Sequence, residues 1–164
     1  MQDSAPPLSD TPLALHAESV APEWIDYNGH MNVAYYVLIF DHATDALLDH
    51  LELGDEYRER TGCTFFVAEA HVTYVREVGE GAALTVTTQI LDSDNKRLHL
   101  FHRMFADGSD EQVASNEVMV MHIDGVARRV SALPEQARER IAPITASHGP
   151  MARPPEAGRA IAIR

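Results

Sequence analysis

The residues best placed to do chemistry lie in the run Trp24-Ile25-Asp26-Tyr27-Asn28-Gly29-His30-Met31-Asn32. A carboxylate, two amides and an imidazole fall within 26–32, around one glycine. Asp26 has two readings. It can form the turn or cap the element that follows. It can also be a carboxylate held close to a helix N-terminus, where the macrodipole and free N–H groups favour negative charge. Those same N–H groups can receive an oxyanion. A carboxylate and an oxyanion site at one helix end suit attack on a carbonyl.

The elements that position this run can be read from periodicity. Leu13 to Val20 alternates as a short strand, and Pro22, Asn28 and Gly29 make 21–32 a loop. From Val33 to about Leu51 the residues Val37, Phe40, Thr44, Leu47, Leu48 and Leu51 recur at helical spacing. Asp41, Asp45 and Asp49 fall on a polar stripe, Asn32 suits the N-cap, and Gly54 suits the stop. After a polar turn over 54–62 the period becomes two. Phe66, Ala68, Ala70, Val72 and Tyr74 share one predicted side of a strand; Phe65, Val67, Glu69, His71, Thr73 and Val75 share the other. Strands over 84–90, 98–105 and 113–123 follow, separated by turns, and Pro134 opens a helix through Ile141. The class is α+β, a curved antiparallel sheet wrapped around one long helix. Such a sheet leaves its outer face and edges uncovered, and dimerisation is the usual remedy. Phe65, Val67 and Val75 on the outward side of the first long strand fit that expectation.

Composition narrows the function classes. The net charge is -12 at pH 7, which excludes nucleic acid or an anionic membrane as the main partner. It leaves room for a phosphorylated ligand, which needs only local cations. Those cations are twelve arginines and Lys96. The single Cys63 excludes an internal disulfide. No G-x-S-x-G elbow, P-loop or strand-linked G-x-G-x-x-G is present. The nine histidines lack metal-ligand spacing, so no metal is expected; His42, Asp45 and Asp49 share a helix face that solvation explains. Residues 1–12 read as a disordered lead-in, 13–142 as the domain and 143–164 as a C-terminal tail. No signal peptide or transmembrane run is evident, so a cytoplasmic location is expected.

The stretch Asp26-Tyr27-Asn28-Gly29-His30-Met31-Asn32, followed by Tyr35-Tyr36, resembles the signature of hot-dog-fold thioesterases related to 4-hydroxybenzoyl-CoA thioesterase. The later run from Ala68 to Gly81 fits the strand and glycine turn of that family, and the resemblance covers about 13–142. More narrowly, the Trp24–Asn32 run, the Thr61-Gly62 turn and Gly158-Arg159 resemble betainyl-CoA thioesterases and the thioesterase portion of fused carnitine dehydrogenases. The resemblance implies hydrolysis of a small acyl-CoA, no cofactor beyond the CoA of the substrate, and a homodimer or homotetramer. It places the catalytic acid at Asp26, as nucleophile or general base. Asn28, His30 and Asn32 would orient Asp26, the water or the carbonyl; a loop-stabilising hydrogen bond is an equal reading of His30.

A trimethylammonium acyl group needs aromatic faces and a nearby carboxylate. Trp24, Tyr27, Tyr35, Tyr36, Phe65 and Phe66 supply rings and Glu69 a charge, although aromatics at such spacings also serve as core. Arg76, Lys96 and Arg97 are the candidate contacts for the CoA phosphates. The rival expectations are an acyl-CoA hydratase or dehydratase of the same fold, and a non-catalytic acyl-CoA-binding module.

Overall fold

The computed structural model describes residues 11–163. Most of the expected lead-in, 1–10, lies outside the described residues. The chain runs β1 (Leu13–Ser19), a short 3-10 turn (Pro22–Trp24), α1 (Val33–His50) and α2 (Asp55–Thr61). It continues β2 (Cys63–Tyr74), β3 (Ala83–Ser93), β4 (Arg97–Ala106), β5 (Gln112–Asp124), β6 (Arg129–Val130) and α3 (Glu135–His148). The main sheet is antiparallel throughout, in the order β1-β3-β4-β5-β2, with β6 paired to β5. β1 and β2 are thus opposite edges, and α1 carries the chain between them. No helix among the described residues is long and apolar enough to cross a membrane.

α1 starts where expected because the Asn32 side chain accepts from the N–H of Ala34. Its buried stripe is Tyr36, Ile39, Phe40, Ala43, Thr44, Leu47 and Leu48. Val37, expected inside, is exposed, because the stripe drifts round the helix with the 3.6-residue period. The N-terminal half of α1 packs with Val78, Leu84, Val86, Met104 and Val113; the C-terminal half packs with Ile90, Leu98, Leu100, Val120 and α3. The site described below sits at the first of these clusters.

Three expectations need correction. Gly54 does not end α1, which closes at Leu51; it precedes α2, where a polar turn was expected. Asp55 and Glu56 in the first turn and Arg58 and Arg60 in the last suit the helix dipole there. α3 continues past Ile141 to His148 with Pro143 inside it, because Ile141, Ile144 and His148 all bury against the body of the protein. His148 Nδ1 accepts the N–H of Ile90 at 2.9 Å, beside the bulge in β3.

The third correction concerns β2. A bulge between Val67 and Glu69 inserts one residue against β5 and reverses which side chains face α1. Phe65 therefore packs inward before the bulge, and Val72 packs inward after it. The neighbours Phe66 and Val67 are left exposed. A strict period of two cannot anticipate this, since one extra residue flips every later side chain.

Among the buried polar groups of the described residues, His102 is fully enclosed. His102 on β4 bonds Thr44 Oγ1 through Nε2 at 3.0 Å and Thr88 Oγ1 through Nδ1 at 2.9 Å. Thr44 already donates to the Phe40 carbonyl, so Nε2–H donates to Thr44 and Nδ1 accepts from Thr88. Burial pushes the pKa of His102 down to about 3.

Candidate active site

The chain enters α1 through a turn whose two arms are laced together. Ile25 and Met31 form an antiparallel bridge. The N–H of Asp26 donates to His30 at 3.0 Å, and that of Asn32 to Trp24 at 2.9 Å. Gly29, at the tip, has φ of +79°, a conformation that costs other L-residues energy. The N–H of Met31 donates to the Val78 carbonyl at 2.9 Å, fastening the turn to the segment after β2.

These bonds fix the Asp26 backbone and leave much of its side chain open. Oδ1 accepts the N–H of Asn28 at 2.8 Å, an Asx turn. Oδ2 has no partner among the described residues. The expected turn-forming role and an available carboxylate oxygen therefore coexist in one side chain. Asn32 uses its amide oxygen on Ala34, so it caps the helix; no hydrogen bond within the described residues uses the N–H of Val33. His30 Nε2 lies 3.2 Å from Glu77 Oε1.

Asp26, Asn28 and His30 border a crevice of about 290 Å³. Its other wall comes from Val33 and Tyr36 of α1, from Tyr74, and from Val75, Arg76 and Glu77 beyond β2. Tyr36 is buried, donates its hydroxyl to the Arg76 carbonyl at 3.2 Å, and meets Tyr74 edge to face at 5.4 Å. Burial pushes the Tyr36 phenol above its ordinary range, with the Glu77 charge adding to the effect. The crevice thus combines an available carboxylate, a helix start, two phenol rings and a second carboxylate. That set can hold a carbonyl compound and deliver an oxygen nucleophile to it.

Residues 20–141 match the thioesterase-like superfamily. The chain belongs to that family. It is a thioester hydrolase of the hot-dog fold. The betainyl-CoA thioesterase of Pseudomonas aeruginosa is 36% identical over 151 residues, covering 92% of this chain and 95% of that one. A fused L-carnitine dehydrogenase/betainyl-CoA thioesterase of Agrobacterium fabrum is 42% identical over 126 residues, which are 77% of this chain and 26% of the longer protein. A Staphylococcus aureus protein solved in complex with CoA superposes with a TM-score of 0.86 at 34% identity, covering 93% of this chain and 97% of that one.

Within this thioesterase the residues singled out from sequence divide. Asp26, Asn28, His30, Tyr36 and Arg76 meet at the crevice. Trp24 and Tyr35 stack on each other at 5.2 Å behind it, against the core cluster. Tyr27 points away, 97% exposed. Phe65 lies in the other half of the core beside His122, while Phe66 is exposed on the β2 edge. Glu69 borders a different hollow of about 310 Å³ on the outer sheet face, with His71, His99, Glu117 and Arg159. There Glu117 accepts from His99 at 2.7 Å and from the Gly158 N–H at 2.6 Å, so the C-terminal segment is tied to the sheet.

Of the expected phosphate contacts, Arg76 pairs with Glu111. Arg97 forks onto Asp94 at 2.8 and 2.6 Å, away from the crevice, and its neighbour Lys96 shares that turn. Sequence reading missed Tyr74 and Glu77 as wall residues. The available signal was that β2 ends where the core cluster of the α1 start begins, through Val72.

Proposed function

We propose that this thioesterase hydrolyses betainyl-CoA to betaine and CoA, with Asp26 as the catalytic carboxylate. The observation that carries the chemistry is the half-satisfied Asp26 side chain on the crevice rim beside the α1 start. The acyl group is supported by the 36% identity to the Pseudomonas aeruginosa betainyl-CoA thioesterase across nearly the full length of both chains.

In the water route Asp26 takes a proton from a water whose oxygen bonds to the thioester carbon. The C–S bond then breaks, and the CoA sulfur leaves as a thiolate that is reprotonated. In the nucleophilic route an Asp26 oxygen bonds to that carbon, CoA leaves, and water cleaves the resulting anhydride. Either route places negative charge on the carbonyl oxygen, for which the uncommitted N–H of Val33 is the donor at hand. Asn28 and His30 hold the turn, with His30 braced by Glu77. The trimethylammonium group is received by the exposed face of Tyr74, with Tyr36 behind it and Glu77 supplying charge.

The proposed assembly is a homodimer through the free edge of β2. That edge is twelve residues long and unpaired on one side. It carries the exposed Phe66 and Val67, exposed Val75 follows just beyond it, and α1 adds exposed Val33, Val37 and Leu38. A second copy there would wall in the crevice from the side of Tyr74 and Val75.

Steady-state thiol release from betainyl-CoA and from 3,3-dimethylbutyryl-CoA, its uncharged isostere, tests the substrate assignment. The expected kcat/KM ratio favours the cation by roughly tenfold to thirtyfold, the worth of a desolvated cation–π contact. Equal values would remove the betainyl assignment while leaving thioester hydrolysis in place.

A further inference from the structure

A second cluster of chemically capable side chains lies at the other edge of the sheet, and hydrolysis makes no use of it. His16 and Glu18 are two positions apart on β1 and project toward α1, where His42 meets them. Glu18 Oε1 lies 2.7 Å from His16 Nε2 and 2.8 Å from His42 Nδ1. One atom from each of the three residues falls within 4.8 Å of the others. The strand partners of His16 and Glu18 on β3 are Val86 and Leu84, both in the apolar core. An edge strand ordinarily fills such core-flanking positions with apolar residues. Here they hold two imidazoles and a carboxylate converging on one point.

We propose that His16, Glu18 and His42 form a binding site for a divalent cation of the zinc class. Two imidazole nitrogens and one carboxylate oxygen, with a fourth position open to water, are a familiar zinc donor set. Zinc–ligand bonds of about 2.0–2.1 Å set neighbouring ligands roughly 3.3 Å apart in a tetrahedron. The two separations from Glu18 need to widen by only about half an ångström to reach that geometry, and the two imidazole nitrogens already lie within 4.8 Å of one another. Rotation of the partly exposed Glu18 side chain provides this.

In the metal-free form each imidazole nitrogen that faces Glu18 carries the proton. On metal binding that proton moves to the other nitrogen of the ring, so both lone pairs point at the cation. The hydrogen bonds to Glu18 then give way to coordination bonds. The surrounding field is also suited to a cation. Asp45 lies about one helical turn beyond His42, with Asp41 and Asp49 one turn to either side of it, so this stretch of α1 carries three acidic side chains. Among the described residues no Lys or Arg is ion-paired at the cluster. The imidazole-rich donor set favours zinc, cobalt, nickel or copper over magnesium and calcium.

His42 lies nine residues beyond Val33, about 14 Å along α1 at the helical rise. The cation would therefore staple β1 to α1 without touching the Asp26 crevice.

The test is calorimetric titration of the untagged, chelator-stripped chain with Zn²⁺, paired with thermal unfolding with and without the metal. The expected result is one Zn²⁺ per chain, a raised unfolding midpoint, and no response to Mg²⁺. Glu18→Gln should weaken the affinity at least about tenfold, and His42→Ala should abolish the stoichiometric step. His50→Ala, on an exposed helix position outside the cluster, should bind as the parent does. Each variant is compared with itself in the presence and absence of metal, so a general loss of stability cannot mimic the result. If His42→Ala does not fold, Glu18→Gln alone decides. Absence of saturable uptake by the parent, or uptake unchanged in Glu18→Gln or His42→Ala, overturns the proposal.

Discussion

The turn around Asp26 and the pocket around His102 both place polar groups against α1, and they are finished in opposite ways. At His102 every polar valence is closed: one nitrogen donates to Thr44, the other accepts from Thr88, and Thr44 in turn bonds the Phe40 carbonyl. At Asp26 the backbone N–H donates to His30, the carbonyl accepts from Gly29 and the flanking bridge closes the turn, yet one carboxylate oxygen is left toward a crevice. A closed polar network in a dry interior rigidifies a fold and reacts with nothing. An open one on a rigid base can accept a reacting atom. The contrast distinguishes chemistry from architecture better than residue type does, since a histidine attracts notice before an aspartate.

The strongest way to break the comparison is Asp26→Asn. The amide keeps the shape and can still accept the Asn28 N–H through its oxygen, but it cannot serve as base or nucleophile. Thioester turnover should fall by roughly 10²- to 10⁴-fold while circular dichroism and the unfolding midpoint stay near those of the parent. Activity within a few-fold of the parent would make Asp26 another closed, structural group.

The second test acts on His102. Its folded pKa of about 3 lies below the ordinary 6.5, so between those values the unfolded chain binds the proton that the folded chain refuses. The stabilisation is whole above pH 6.5 and is lost as the pH falls toward 3, amounting to several kcal/mol in all. Urea unfolding from pH 7 to pH 4 should show this slope in the parent. His102→Gln should flatten it, while lowering stability at pH 7 by about 1–3 kcal/mol through imperfectly met hydrogen bonds. Hydrolysis at pH 7 should be unchanged in any fraction that stays folded. A parent slope retained in His102→Gln would assign the acid sensitivity elsewhere.

The smallest effect sharpens the picture of the turn. Gly29→Ala introduces a Cβ into open space but at a positive φ, so strain and not collision is the cost. We expect about 1–2 kcal/mol of lost stability, and a kcat decrease larger than any change in KM. A change confined to KM would mean that the turn binds substrate without aligning Asp26.

Much of this was readable from the chain alone. The α+β class, the capped helix at Asn32 and the placement of Asp26 before it are local facts, fixed by periodicity, turn chemistry and residue spacing. Local physics acts over a few residues, and sequence displays it directly. The division of the aromatic candidates was not readable in this way. The bulge at Ala68 sends Phe65 into the far half of the core and leaves Phe66 on the edge. Tyr27 projects to solvent, 97% exposed, while Asp26 beside it is only partly exposed. Glu69 lies by the outer hollow with the C-terminal segment, and Arg97 is taken by Asp94. These outcomes depend on strand register and on partners from distant segments.

The same holds for the groups that sequence spacing passed over. Tyr74 reaches the crevice because β2 ends beside the start of α1. His16 and Glu18 meet His42 because the opposite edge of the sheet lies beside the middle of that helix. The sequence determined what each segment could be and placed the Asp26 carboxylate at a helix entrance. Only the tertiary structure decided which side chains that carboxylate would have for company, because long-range pairing, and not local preference, sets the distances between segments.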